Sequence, residues 1–303
     1  MLLILSMYAL FASTFILGRE VVSIVPPIFF IGIRMLLAGS MLFTYIWSVH
    51  REQIKCKRAE LPWFLGIVFF HIYAAYVLEY ISLQYLTGAK VSLLYNLSPF
   101  ITGLLAYFLM KEKMTFQRWL GLAIGFFAFL PLLINQYITT SNPLVEQTFE
   151  YAEIILLISI TSSCIGWIFM KKLTHYHDHS YLFVNTVGML GGGVLALATS
   201  WYTEQWPCIH DIVYNLPFIR GLFGLIIIGN IICYNLYGYL LHRYSTTFLS
   251  FCGFFTPLFA ALFGWIWLGE TIELSFIVTV LLVTVGLYIF YKEDLKLGYS
   301  IKK

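Results

Sequence analysis

Apolar runs of roughly twenty residues recur along this chain of 303 residues, with little between them except short polar connections. A run of that length crosses about 30 Å of hydrocarbon as a helix. Lipid offers the backbone no hydrogen-bond partner, so only helices or closed barrels can span it. Ten segments are predicted, at residues 2 to 17, 27 to 48, 63 to 80, 89 to 110, 116 to 134, 151 to 170, 181 to 201, 217 to 238, 246 to 268 and 274 to 291. With 60% of its residues hydrophobic and 11% charged, a water-soluble globule of this size could not hide its apolar surface. The expected fold class is therefore an all-α membrane protein with ten transmembrane helices. The first run lacks a basic leader and a small-residue cleavage site, and nine runs follow it, so it is read as a retained helix rather than a signal peptide. The polar connections at 49 to 62, 135 to 150 and 202 to 216 are too short for a soluble domain.

The second half repeats the first at an offset of 158 residues, with Ser98-Pro99 falling on Thr256-Pro257, Ser92 on Ser250, Leu104 on Leu262 and Glu112 on Glu270. Five predicted helices precede the loop around Ser141-Asn142-Pro143 and five follow it. An odd number per half forces the second half to insert with opposite orientation. The expected organisation is a five-helix repeat over 1–134, an inverted five-helix repeat over 151–291 and a cytoplasmic tail over 292–303. Proline lacks an amide hydrogen and crowds the carbonyl four residues earlier, which is that of Tyr95 for Pro99 and Gly253 for Pro257. Both carbonyls are expected to be free for a ligand, and interrupted helices of this kind flank transport sites between repeated halves. The alternative is a kink that serves packing alone.

The net charge of +3 becomes informative once the basic residues are assigned to sides. With the N-terminus inside, Arg51, Lys55, Lys57, Arg58, Lys111, Lys113, Arg118, Lys171, Lys172, Arg243, Lys292, Lys296, Lys302 and Lys303 all fall on the cytoplasmic face, while Arg19 and Arg220 flank outer loops. The positive-inside rule then places both termini in the cytoplasm. The five cysteines are scattered and form no disulfide framework.

Ala12-Ser13-Thr14-Phe15 with Arg19, the stretch from Pro27 to Arg34, and Tyr85-Leu86-Thr87 through Pro99 to Glu112 resemble the EamA-type proteins of the drug/metabolite transporter superfamily. Ser245 through Pro257 to Leu268-Gly269-Glu270 matches that pattern more closely than the first copy, in which Lys111 stands where the family usually has Gly. The resemblance covers nearly the whole chain. It implies ten helices in two inverted repeats around a central cavity, and movement of small metabolites. Tyr95-Asn96-Leu97-Ser98-Pro99-Phe100 and Phe254-Phe255-Thr256-Pro257-Leu258-Phe259 are also similar to segments of the S-adenosylmethionine transporters of intracellular bacteria, which implies exchange of that compound for S-adenosylhomocysteine.

An ionisable group at the centre of a spanning helix costs at least about 2.5 to 3.5 kcal/mol, so those retained normally face a cavity or a partner. Arg34 lies about seven residues, or roughly 10 Å, into its span. His71, Ala75 and Glu79 share one helical face, and Lys90 opens the fourth span. Arg34 is the candidate for a substrate carboxylate, Glu79 for an ammonium or sulfonium, and Lys90 a third charged ligand. Alternatively, Glu79 and Lys90 are interfacial anchors or tie the third and fourth helices together. Tyr95 and Asn96 stand at the first proline break. Asn230, Tyr234 and Tyr237 recur at helical spacing on the eighth span, where Asn230 either reads a heterocycle edge or makes an interhelical hydrogen bond. Phe15 and Trp167 fall at corresponding places in the first helix of each half and are candidate cavity walls. Glu79 and His71 are candidates for proton coupling, and Pro99 and Pro257 for hinges.

His175-Tyr176-His177-Asp178-His179 offers zinc-type ligands, but its alternating spacing in a short loop lacks a rigid scaffold. No P-loop, Ser/His/Asp arrangement or metal-ligand pair at helical spacing occurs, so neither an enzyme nor a cofactor is expected. What remains is a secondary transporter with a small-molecule substrate and the lipid bilayer as its partners, and no nucleic acid. Substrate exchange and proton-coupled export of amino acids, nucleosides or drugs are the alternatives within that class. A non-transporting receptor or scaffold is the alternative outside it. Oligomeric state is not legible.

Overall fold

Helix is the one regular structure found among the described residues of the computed structural model, which are 2–86, 91, 94–128, 130, 149–207, 214–268 and 274–299. In chain order they are α1 (Leu2–Val22), α2 (Pro27–Val49), α3 (61–83), α4 (Tyr95–Met110), α5 (Phe116–Phe127), α6 (Phe149–Lys171), α7 (Tyr181–Thr203), α8 (Leu216–Leu241), α9 (246–268) and α10 (Leu274–Lys296). Seven stretches are long and apolar enough to cross a membrane by length and composition: Leu2–Val22, Pro27–Val49, Arg58–Leu83, Tyr151–Tyr176, Tyr181–Thr203, Leu216–Leu241 and Thr246–Phe263. Lys90, Ser92, the loop around Pro143, and Gly269-Glu270 lie outside the described residues.

Local chemistry sets the helix starts. Pro27, Pro99 and Pro217 stand in first turns, where a missing N–H costs nothing. Asn215 Oδ1 accepts from Phe218 N at 3.0 Å, and Ser245 Oγ from Phe248 N at 3.0 Å, the N-cap arrangement that satisfies orphan amides. α2 has no cap of its own. Its amides at Ile28 and Phe29 donate to the Glu204 carboxylate at 2.9 and 2.7 Å, so the residue following α7 completes α2 with a favourable charge at its N-terminus. Lys111 ends α4 in the left-handed region, at φ 56°, a conformation that glycine adopts most readily.

α3 and α8 share an irregularity that the sequence did not announce. α3 is π-helical over Ile67–Ala74 and α8 over Leu225–Cys233, starting at the same offset that separates Pro99 from Pro257. Asn235 supports the second π-turn by donating to Ile231 O at 2.8 Å and Asn230 O at 3.4 Å, and itself accepts from Asn185 Nδ2 at 2.8 Å.

α2 packs along α7, α5 along α10 and α4 against α9; α3 touches α6 and α7, α8 touches α1 and α2, α4 touches α6, and α1 touches α9. Advancing every helix number by five maps this set of pairs onto itself. α5 crosses α10 glycine on glycine, where a Cβ added at Gly121 would lie 2.7 Å from the Gly286 carbonyl oxygen, and one at Gly286 would lie 2.7 Å from that of Gly121. Membrane helices associate through such small-residue contacts because lipid supplies no hydrophobic drive between them. Gly121→Val should therefore force the pair apart and cost about 1–3 kcal/mol, read as a lower melting temperature in detergent. An unchanged melting temperature would show that the two backbones do not meet.

Candidate functional site

Both proline breaks turn toward a central cavity, although not as the sequence implies. Before Pro99 the chain forms a 3-10 turn over Tyr95–Leu97, and the Ser98 N–H donates to Tyr95 O. Before Pro257, Thr256 N donates to Gly253 O at 2.8 Å. The two carbonyls expected to be free are thus each taken by the amide three residues on, because a tightened turn satisfies the acceptor that proline leaves without its usual donor. Pro99 is buried in the packed face of α4.

The cavity encloses about 1020 Å³, including its mouth, and is lined by residues of α1, α3, α4, α6, α8 and α9, with Arg34 entering from α2. Seven of the residues expected at a site line it: Arg34, Glu79, Tyr95, Tyr234, Tyr237, Phe15 and Trp167. Arg34 is 2% exposed. Its Nη1 donates to the Tyr80 hydroxyl at 2.6 Å, its guanidinium lies 4.6 Å from the Tyr76 ring centre, and its Nε has no partner among the described residues. A buried guanidinium is held by hydrogen bonds and aromatic faces, and the unpaired Nε still has a hydrogen to donate. Glu79 accepts from the Tyr95 hydroxyl at 2.5 Å, which links α3 to the first break.

Stacked rings form the wall beside these charges. Trp167 stacks on Tyr237 with centroids 3.8 Å apart and planes at 26°, and Tyr76 stacks on Tyr234 at 5.7 Å and 29°. The latter pair joins equivalent positions, since each tyrosine follows the π-helical stretch of its own helix. Phe15 meets Tyr95 at 5.7 Å. Hydroxyls form the floor: Thr102 Oγ1 donates to Ser250 Oγ at 3.3 Å, and Ser250 Oγ to Ser98 Oγ at 3.1 Å. Cys164 Sγ reaches the Ser98 carbonyl at 3.6 Å.

Three expected site residues are buried without lining the cavity. His71 sits behind the wall, its ring 4.3 Å from Trp167 and 5.0 Å from Tyr234, with neither nitrogen hydrogen-bonded among the described residues. Asn230 points its amide between α2 and α7, with Nδ2 3.1 Å from Met35 Sδ and 3.9 Å from Met189 Sδ. Asn96 is 3% exposed and its amide has no partner among the described residues. Lys90 lies outside the described residues. In the histidine loop, His177 Nδ1 lies 3.5 Å and His179 Nε2 2.9 Å from the carboxylate of Glu60, an arrangement that joins two loops. No group of three His, Cys, Asp or Glu residues among the described residues could hold a metal ion.

The sequence reading missed Tyr8, Tyr76, Tyr80 and Thr102, all of which line the cavity. Tyr76 and Tyr80 were findable, since they flank Glu79 at i−3 and i+1 on its helix, and Thr102 lies one turn beyond Ser98.

The sequence profile of the EamA-like transporter family matches residues 1–134 and 151–292. The chain belongs to this family. Two relatives, each called S-adenosylmethionine/S-adenosylhomocysteine transporter, from Chlamydia muridarum and Chlamydia trachomatis serovar L2, are 31% identical to it over 295 residues, covering 96% of this chain and 91% and 89% of their own. An uncharacterized transporter of Bacillus subtilis is 23% identical and covers 95% of each chain. A solved crystal structure with 14% identity covers 97% of both chains at a TM-score of 0.72, which places the fold alongside that of this chain. The protein is thus a membrane transporter of the EamA-like family and not an enzyme.

Tyr80→Phe keeps the ring of this transporter's cavity but removes the oxygen that Arg34 binds. A loss of about 1–3 kcal/mol in stability is expected from stranding the guanidinium, measured as a lower melting temperature. No change would mean that water entering the cavity replaces the hydroxyl.

Proposed function

We propose that this transporter takes up S-adenosylmethionine across a bacterial inner membrane in exchange for S-adenosylhomocysteine. Two inverted five-helix halves, 1–134 and 151–291, rock about the breaks at Pro99 and Pro257, and both chain ends lie in the cytoplasm. One observation carries the reading: a single chamber combines a buried guanidinium, a carboxylate and paired aromatic faces, in a chain whose Chlamydia relatives bear that name. The helix contacts that repeat under a shift of five, and the π-turns and proline breaks that recur at one offset, support the two-half arrangement.

S-adenosylmethionine presents a carboxylate, an ammonium, a sulfonium and a planar adenine. Arg34 offers its Nε edge to the carboxylate as a charge-assisted hydrogen bond. Glu79 faces the cationic groups of the molecule with its carboxylate. Trp167 and Tyr237 give the adenine a stacking platform, with Phe15 and Tyr95 closing the other side. The two compounds share the adenosyl group and the amino-acid end and differ in the sulfonium charge, so one chamber of this chemistry serves both directions of an exchange. His71, Asn96 and Asn230 act through packing in this reading.

Arg34→Ala should weaken binding of S-adenosylmethionine by about thirtyfold or more, from the loss of roughly 2–5 kcal/mol at a buried charged contact. Trp167→Ala should weaken it by about five- to 150-fold, from roughly 1–3 kcal/mol of stacking. Thermal shift of the purified protein reads both, with nucleosides and amino acids as competitors. Full affinity in both variants would confine these residues to structure. In vesicles, S-adenosylhomocysteine loaded on the far side should accelerate uptake, whereas a proton gradient alone should not. The reverse result would sink exchange and assign coupling to protons, with Glu79 as their carrier.

A further inference from the structure

Below the cavity lies a second polar assembly whose members are not among the residues lining the chamber. Along α4, Tyr95 faces Glu79, and Ser98 and Thr102 form the floor with Ser250 of α9. Glu112 then follows ten residues beyond Thr102, roughly 15 Å if the helical rise continued. Glu112 Oε1 accepts from Lys171 Nζ at 3.2 Å, and its Oε2 from Thr247 Oγ1 at 3.4 Å. Arg118 Nη2 lies 2.8 Å from Asp294 Oδ1, 3.4 Å from Glu112 Oε2 and 3.4 Å from Ser245 Oγ. Its Nη1 donates to Lys113 O at 2.7 Å. Arg118 and Asp294 are fully buried, Glu112 nearly so. Charges this deep persist when paired.

The division of these contacts between the halves is the informative point. Glu112 follows α4 and Arg118 lies in the first turn of α5, both before the central loop, while Lys171 ends α6, Ser245 and Thr247 open α9, and Asp294 lies in the last turn of α10. Glu112 to Lys171 and Thr247, and Arg118 to Asp294 and Ser245, cross from one half to the other, whereas Arg118 meets Glu112 and the Lys113 carbonyl within the first half. The crossing continues upward, since a Cβ at Gly103 would lie 3.4 Å from Thr247 Cγ2, and Ser98 and Thr102 meet Ser250 above it. A cluster that served stability alone could sit within either half. This one joins the two halves along a seam that begins at the chamber floor and ends among the basic residues at one end of the bundle.

We propose that Glu112, Arg118, Lys171, Thr247 and Asp294 form the inner gate, an ion-paired lock that holds the chamber closed toward the end carrying Lys111, Lys113 and Lys172. This rests on the alternating-access reading. The lock must part for substrate to leave on that side, and its members act on the equilibrium between the two states, not on the substrate. Weakening it shifts the population toward the state open at that end, in proportion to the differential stabilisation removed.

Cys164 supplies a native reporter, since it lines the chamber. In full-length protein carrying Cys56→Ser and Cys208→Ser, reconstituted in vesicles of known orientation, a membrane-impermeant thiol reagent should label Cys164 chiefly from the end opposite the lock. Glu112→Gln should raise labelling from the lock end at least tenfold and lower it from the other. Unchanged sidedness in a variant that keeps the wild-type thermal shift with S-adenosylmethionine would overturn the lock. A second test closes the seam covalently, giving up only the Thr247 hydrogen bond to Glu112. Gly103→Cys with Thr247→Cys places two thiols across the seam, with Met114 Cε, a flexible side-chain end 3.1 Å from the new Cβ, as the near neighbour. Oxidation should abolish counterflow and reduction restore it, while exchange that continues in the cross-linked protein would also overturn the lock. Absence of counterflow in wild-type vesicles would instead sink the exchange reading itself, independently of the labelling.

Discussion

Nothing in a bilayer core accepts a hydrogen bond except the protein itself, and the unusual features of this chain follow from that constraint. Four of the departures from regular α-helix fall into two equivalent pairs: the π-turns of α3 and α8, and the tight turns before Pro99 and Pro257. In three of the four the pairing is seen. The carbonyls of Tyr95 and Gly253 are taken by amides three residues on, and Asn235 supports the π-turn of α8 with side-chain bonds. Such breaks survive in lipid where they border a cavity and their groups are paired. The side chains just past the two π-turns, Tyr76 and Tyr234, stack on one another across the chamber. Local irregularity in the two halves therefore builds one wall.

The same constraint governs charge. Arg34 is buried with an aromatic shell and a tyrosine hydroxyl around it, and Glu79 is tied to Tyr95. Both face the chamber, where a polar ligand can complete their contacts. Glu112, Arg118, Lys171 and Asp294 are buried in a closed group that compensates itself across the two halves. A charge beside an open chamber suits a site that must release its ligand. Charges paired with one another suit a contact that holds a conformation until the halves move apart.

Much of the site was legible because expense in lipid is visible in one dimension. An arginine, a glutamate and a proline inside apolar runs are conspicuous, and Arg34, Glu79 and the Pro99 break all border the chamber or its floor. The aromatic wall was partly legible, because Tyr234 and Tyr237 share a stripe, whereas Tyr76 and Tyr80 were overlooked among the 21 tyrosines. Asn230 and His71 looked equally costly, yet thioethers and rings surround them away from the chamber. Polarity within a span announces a need for company but not the kind that meets it.

Helix number aside, the residues by themselves determined that this chain lives in lipid, that its two proline segments are related, and which charges had to be housed. These follow from periodicity and transfer cost, properties that each segment has alone. Only the tertiary structure decided which side chains meet: that Trp167 stacks on Tyr237, that α4 and α9 join at the chamber floor, and that a carboxylate after α4 pairs with a lysine ending α6. Those contacts join helices far apart in sequence, and hydropathy is the same whichever way an apolar helix is rotated, so packing alone fixes which face looks inward.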